Sequence, residues 1–360
     1  MARKNRMTPP KAVHHLTARV ANREFLLKDP DFKDWIVDTL YSTADFSGVE
    51  LLGWTILDNH IHILAETGSV PAHLWDDPAD EPDPSKFTLR PDLCTDPRWS
   101  PFEGDRPAQS GGDRPAQSAR PRPPIGFHFS DEEMLGRLRS LYGDKGAAKI
   151  SRKWTTMRKL GCDDKVEEDK ERYSRRMYNI SQFMKTFKER VTTYYNLKYN
   201  HTGTLWEGRF YSGIVEKDAD VMPIVGAYID LNACRAGIVK HAQDWCWNSY
   251  AQAVRGGKYS ERCRKAYERI YGCAWEEARR RIEETFADKL PKRNDEKSAP
   301  RLRASQAIHA KVEVFSHGAF IGRGKLFVQE VIDALPPNFP HASGRSVDAC
   351  CRYVWRSVAA

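Results

Sequence analysis

The chain has 360 residues, enough for a sizeable core and more than one folding unit, and its 57 Lys and Arg against 49 Asp and Glu give a formal charge of +8 with a pI near 9.0, a balance that favours a polyanionic partner. No stretch approaches the roughly 18 apolar residues of a membrane span, and the basic start MARKNRMTPPK is followed by no apolar run, so neither a span nor a leader is expected. The eight cysteines contain no C-x-x-C pair, which argues against a zinc ribbon or a secreted disulfide framework and for reduced thiols in a cytoplasm.

Residues 12–20, AVHHLTARV, alternate as a strand with Leu16, Ala18 and Val20 on one side. Asp29-Pro30 opens a helix, and Phe32, Trp35, Ile36, Leu40 and Ala44 form a stripe that should lie on a sheet. Two strands, 49–57 and 60–66, follow across the Asp58-Asn59 turn. From 67 to about 175 Pro, Asp and Gly become frequent, and GDRPAQS occurs at 104–110 and again at 112–118, a linker composition. A capping box, Ser130 to Glu133, opens a helical section after it.

Ile180, Phe183, Met184, Phe187, Val191 and Tyr194 predict an amphipathic helix beside the first. HTGTLWEGRFYSGIV, 201–215, predicts a strand, and 219–235 another helix. The order is β-α-β-β-(insertion)-α-β-α. An α+β class suits it, a ferredoxin-like α/β sandwich with helices on one face of a mostly antiparallel sheet. The expected division is a split core of 1–70 and 177–250, a linker and helical insertion over 71–176, and a helical accessory region over 251–360.

Two constellations could carry chemistry. His60 and His62, two apart on a strand, project from one face while Ile61 and Ile63 point to the other, so two ring nitrogens can meet one metal ion. The same H-x-H pattern, taken singly, also describes histidines satisfied within a sheet. In VGAYIDLNACRAGIV, 225–239, Tyr228 and Asn232 lie four apart and share a helix face, presenting a phenol and an amide oxygen together. Tyr228 also continues the apolar row of Val221, Ile224 and Val225, as a core tyrosine would.

HIH on a strand, GTLWEGRF, and YIDLNACRAG on a later helix together resemble the single-tyrosine HUH transposases, specifically the REP-associated tyrosine transposases. The resemblance covers about 12–70 and 177–250, and extends loosely to GAFIGRGKLFVQEVI, 318–332. It implies a divalent metal, Mg²⁺ or Mn²⁺, held by His60, His62 and Asn232, with Tyr228 as nucleophile, a 5′-phosphotyrosine link and a free 3′-hydroxyl. A tyrosine hydroxyl, with a reference pKa of about 10, needs such help at neutral pH. Where the family usually reads Asn-Pro-Val-Arg, this chain has Asn232-Ala233-Cys234-Arg235; without the proline the helix can run on, and Tyr228 and Asn232 keep their places. Tyr194 and Tyr195 are the alternative nucleophiles.

Lys185, Lys188, Arg190, Lys198 and Arg209, with Trp206 and Phe210, mix cations and rings as a single-strand binding surface does, although lysines that solvate a helix and aromatic residues in a core would give the same pattern. The implied partner is single-stranded or hairpin DNA of the repetitive palindrome kind, bound by a monomer or homodimer in the cytoplasm at the nucleoid, with no membrane. Two other readings fit the same residues: a DNA-binding regulatory protein that retains the fold, and a metal-dependent phosphodiesterase using water.

Overall fold

The computed structural model describes residues 11–75, 127–289, 315–317 and 320–322. It is a mixed α+β fold. β1 (Val13–Arg19), α1 (Pro30–Ser47), β2 (Val49–Ile56) and β3 (His60–Thr67) come first. The helices α2 (Asp131–Lys159) and α3 (Asp163–Ser174) follow, then α4 (Ile180–Tyr199), β4 (Tyr211–Val215), α5 (Val221–Asp230) and α6 (Asn232–Arg235). Three further helices, α7 (Ser249–Arg255), α8 (Ser260–Tyr271) and α9 (Trp275–Lys289), precede two short strands, β5 (Phe315–His317) and β6 (Phe320–Gly322). The GDRPAQS repeats, and GAFIGRGKLFVQEVI apart from the backbone of 320–322, lie outside the described residues.

The sheet runs β2-β3-β1-β4-β6-β5, antiparallel through its first four strands, with β6 parallel to β4. Alternation sorts the side chains. Leu16, Ala18, Ile61, Ile63 and Ala65 face a core made with Phe32, Ile36 and Leu40 of α1 and Phe183, Phe187 and Val191 of α4. A bulge in β2, where Leu51 and Gly53 stand opposite Ala65 and Leu64, inserts Leu52 and so lets both Leu51 and Trp54 reach that layer. α1 begins where Asp29 Oδ1 accepts from the amides of Asp31 and Phe32, and ends at Gly48 in the left-handed region (φ 64°). Glycine is required there twice over, since a Cβ would lie 2.5 Å from the Tyr178 ring.

The sequence reading differs from the structure in three places, the first being the region 251–360, expected to be helical, which adds β5 and β6 to the sheet beside β4. Helices cover both faces of the sheet, not one: Val13, Leu52, Leu64 and Val215 continue an apolar patch on the second face, and Val225 and Ile229 of α5 with Cys263, Tyr267 and Ile270 of α8 bury it. Strand β4 is also shorter than expected. Residues 201–210 form an irregular segment tied to the end of β1 by a Val20–Trp206 bridge and by Ala21 N–H to Leu205 O, with Leu205, Trp206 and Phe210 turned into the first core. On the opposite edge, Asn248 bridges Thr55 and Ile56 N–H donates to Trp247 O, so β2 is partly sealed by the chain leading into α7. Among the described residues no helix is long and apolar enough to cross a membrane.

Candidate active site

The antiparallel register of β1 and β3 sets Thr17 opposite His62 and Arg19 opposite His60, so these side chains share the face turned away from α1 and α4. His60 follows directly on the Asp58-Asn59 turn, and that turn is held hard. Lys33, 1% exposed, pairs with Asp58 at 2.7 Å and lies 4.6 Å from the Trp247 ring centre, while Leu27 N–H donates to Asp58 O. Asn59 donates through Nδ2 to Arg23 O at 3.2 Å, which leaves its Oδ1 to accept from His60 Nδ1 at 2.7 Å. His62 Nδ1 is likewise engaged, 3.0 Å from His15 Nε2 and 3.1 Å from Thr17 Oγ1. Each imidazole of the pair therefore has its Nδ1 occupied by protein and only Nε2 left for a ligand.

α5 brings Tyr228 to the same place. Val221, Val225 and Ile229 are buried against the sheet, and Asp230 is fixed by Tyr267 Oη (2.8 Å) and Ser249 Oγ (3.3 Å), with Ser249 in turn bound to Trp54 N–H at 3.0 Å. This buried network ties the end of α5 to β2, α7 and α8. Half-buried Tyr228 then stands edge-on to two imidazoles, its ring centre 5.7 Å from both His62 and His15, while His60 and His62 are 5.0 Å apart. The Arg235 guanidinium covers the Tyr228 ring at 4.4 Å. Helical geometry pauses at Leu231, and Asn232 opens α6 with its side-chain amide donating to Tyr228 O (2.8 Å) and Ile229 O (3.4 Å), so Oδ1 is its remaining polar atom.

Burial sets the charge state. It lowers His15 and His60 to about 4, and it lowers His62 well below the ordinary histidine range, with the neighbouring His15, His60, Arg235 and Arg19 adding to the effect. These rings are neutral at physiological pH, the form in which imidazole binds metal. Arg19 and Arg235 are both exposed, so the mouth of the site is cationic. Among the described residues no group of three or more His, Cys, Asp or Glu side chains is arranged to hold a metal ion. His60 and His62 each leave an imidazole Nε2, and Asn232 an amide oxygen, outside the hydrogen bonds made by their other polar atoms. That donor chemistry fits a divalent ion with open positions for oxygen ligands.

The other expected residues lie elsewhere. Trp206 and Phe210 are 5% and 7% exposed in the first core, so their rings are not offered to bases, because the 201–210 segment turns inward where a strand was expected. Lys188 donates to Gly208 O and lies over the Trp206 ring, Arg190 donates to Leu141 O at 2.7 Å, Lys198 pairs with Asp29 at 2.8 Å, and Lys185 is 3.8 Å from Glu189. All four belong to α4, which packs on the face opposite the histidines. Arg209 is exposed in the segment beside Arg19. Tyr195 is buried in the first core and Tyr194 stacks on Trp35 at 4.0 Å, so both serve packing. The sequence reading missed His15, Thr17, Arg19 and the placing of Arg235. The signal for His15, Thr17 and Arg19 is the alternation of β1, which turns them away from Leu16 and Ala18, while the placing of Arg235 over Tyr228 depends on the turn at Leu231.

No family model matches the chain, and no curated protein does. Among solved structures the chain is similar to one described as a REP-associated tyrosine transposase bound to a REP hairpin, at 13% identity and a TM-score of 0.33, over 71% of this chain and 86% of that one.

Proposed function

We propose that the protein nicks single-stranded DNA and transfers the strand through a 5′-phosphotyrosine intermediate on Tyr228, with Mg²⁺ or Mn²⁺ held by His60, His62 and Asn232. The observation that carries this reading is the meeting of a tyrosine from α5 with neutral imidazoles from β3 beneath an exposed arginine. The strand order β2-β3-β1-β4, with α1 and α4 on one face, supports a ferredoxin-like core as its frame. The split core, the insertion over 71–176 and the accessory region over 251–360 belong to the same proposal.

In the reaction Tyr228 Oη attacks the scissile phosphorus in line with the departing 3′ oxygen. A Tyr–O–P bond forms, the P–O3′ bond breaks, the phenolic proton passes to solvent and the 3′ oxygen leaves as a hydroxyl. When bound, the ion supplies polarisation of the phosphate and offsets the charge that builds on its oxygens. Arg235 and Arg19 hold the phosphate backbone at the mouth and add positive charge there. His60 and His62 stay neutral and keep their Nε2 atoms for the ion. Because the phosphodiester energy is kept in the adduct, a 3′-hydroxyl can later displace the tyrosine and reseal a strand.

Incubating the protein with Mn²⁺ and a hairpin-bearing single-stranded oligonucleotide, followed by denaturing electrophoresis, tests the proposal. Wild type should form a covalent adduct carrying the 5′-phosphate side, and Tyr228→Phe should form none while binding the oligonucleotide as before. An adduct that survives in Tyr228→Phe contradicts the nucleophile. Multiple turnover without an adduct identifies water as the attacking group, and hairpin binding without cleavage identifies a regulatory DNA-binding protein.

A further inference from the structure

β1 carries two adjacent histidines, and alternation separates their fates. His14 turns toward the α1 and α4 layer and contacts Ser212 at 3.1 Å through Nδ1. His15 turns to the other face, where it is 7% exposed, lies side by side with His62 with ring centres 5.2 Å apart and planes 13° from parallel, and meets the edge of Tyr228. A buried, neutral imidazole here is a costly way to fill space unless its nitrogens are used. His15 Nε2 is used: it lies 3.0 Å from His62 Nδ1, with Thr17 Oγ1 3.1 Å from the same atom.

We propose that His15, seconded by Thr17, is a positioning residue that fixes the tautomer and ring orientation of His62 and braces the ring of Tyr228. The inference rests on the strand-transfer reading in one respect, the requirement that His62 offer a lone pair at Nε2. A neutral imidazole has one N–H and one lone pair, so whatever settles Nδ1 settles Nε2. His62 Nδ1–H donates to His15 Nε2, with Thr17 Oγ1 as the second acceptor on the same strand, and His62 Nε2 is left as the acceptor atom. Asn59 does the same for His60. The two imidazoles are thus presented alike, one oriented by the hairpin turn and the other by the neighbouring strand. His15 also sets where Tyr228 can rest, because its ring and that of His62 meet the phenol at the same 5.7 Å.

The test compares wild type with His15→Leu, His15→Gln and Thr17→Val. Long-range ¹H–¹⁵N spectra of the metal-free protein report the His62 tautomer with no chemistry taking place. Wild type should show His62 protonated at Nδ1, and His15→Leu should show a mixture of tautomers. Titration with Mn²⁺ alone, followed by the paramagnetic resonance of the free ion, should show affinity falling about 10–100-fold in His15→Leu, the range expected for loss of such an orienting partner. His15→Gln, whose amide reaches a similar point, should recover most of it. Thr17→Val should move both readouts the same way by a smaller amount, and it carries the test if His15→Leu fails to fold. A wild-type His62 protonated at Nε2, or a folded variant with unchanged tautomer and unchanged Mn²⁺ affinity, overturns the proposal. Because the tautomer is read without metal or DNA, failure of strand transfer in the wild type would show separately, as absence of an adduct.

Discussion

The two faces of the sheet are built from the same strands and obey different rules. On the face toward α1 and α4, Leu16, Ala18, Ile61 and Ile63 are sealed under apolar stripes, and the burial of that layer stabilises the fold. On the other face the intervening residues, His15, Thr17, Arg19, His60 and His62, form a polar strip beside Tyr228, with apolar packing resumed at Val13 and Leu64. A one-residue change of register would exchange the two, so the strip depends on the apolar layer being right. Stability and chemistry are thereby assigned to alternate positions of a single strand pair.

The largest expected effect comes from substituting neighbours on β3. His62→Gln should lower Mn²⁺-dependent adduct formation by roughly 100-fold or more, as loss of a metal ligand does, with a melting temperature within a few degrees of wild type. Ile63→Ala, one position on, should cost about 2–5 kcal/mol of stability and leave adduct formation per folded molecule close to wild type. Thermal unfolding measured beside the adduct assay checks both. If the two substitutions acted alike, the division between faces would be broken.

Acid should sharpen the same comparison. Burial lowers His14 to about 3 and His15 and His60 to about 4, against an unfolded value near 6.5. In that interval the unfolded chain binds more protons than the folded one, so the stability of the metal-free protein should rise with pH from about 4 to 6.5 and be lost on acidification. Asp230 works the other way: burial raises it to about 7, so its contribution is present at low pH and is lost as pH rises through 7. Melting temperatures across pH 4–7.5 should therefore fall toward acid, less steeply in His14→Leu and more steeply in Asp230→Asn. His14→Leu, on the apolar face, should also leave adduct formation unchanged.

The smallest effect is expected on α4. Lys198 pairs with Asp29 at the N-terminus of α1, a solvent-screened ion pair that contributes little to stability. Lys198→Gln should change the melting temperature by little and hairpin affinity by less than about twofold, whereas Arg235→Gln should weaken hairpin binding and slow the adduct. Fluorescence anisotropy with a labelled hairpin separates the two, and equal losses would return α4 to the DNA surface.

Much of this was legible from spacing. H-x-H on a strand and Tyr228 with Asn232 on a helix are local patterns: the first lies on β3 as read, whereas the second keeps its four-residue spacing but is divided at Leu231 between α5 and α6, so the expected single helix does not run on. The stripe of α1 and that of α4 are periodic over several turns and pack as they read. What could not be read is whatever depends on register or on long-range packing. His15 becomes a neighbour of His62 only through the pairing of β1 with β3, which no spacing announces. Trp206 and Phe210 look like stacking rings beside cations, yet the Val20–Trp206 bridge folds their segment into the core. The helices on the second face were missed because Val13, Leu52, Leu64 and Val215 come from separate strands and form an apolar patch only once the sheet exists.

The most direct measurement is to digest the Mn²⁺-dependent adduct with protease and nuclease and locate the nucleotide by mass spectrometry. The phosphodiester remnant should sit on Tyr228, within the peptide that also carries Asn232. A remnant on Tyr194, Tyr195 or any other residue would contradict the meeting of phenol and imidazoles as the seat of the chemistry.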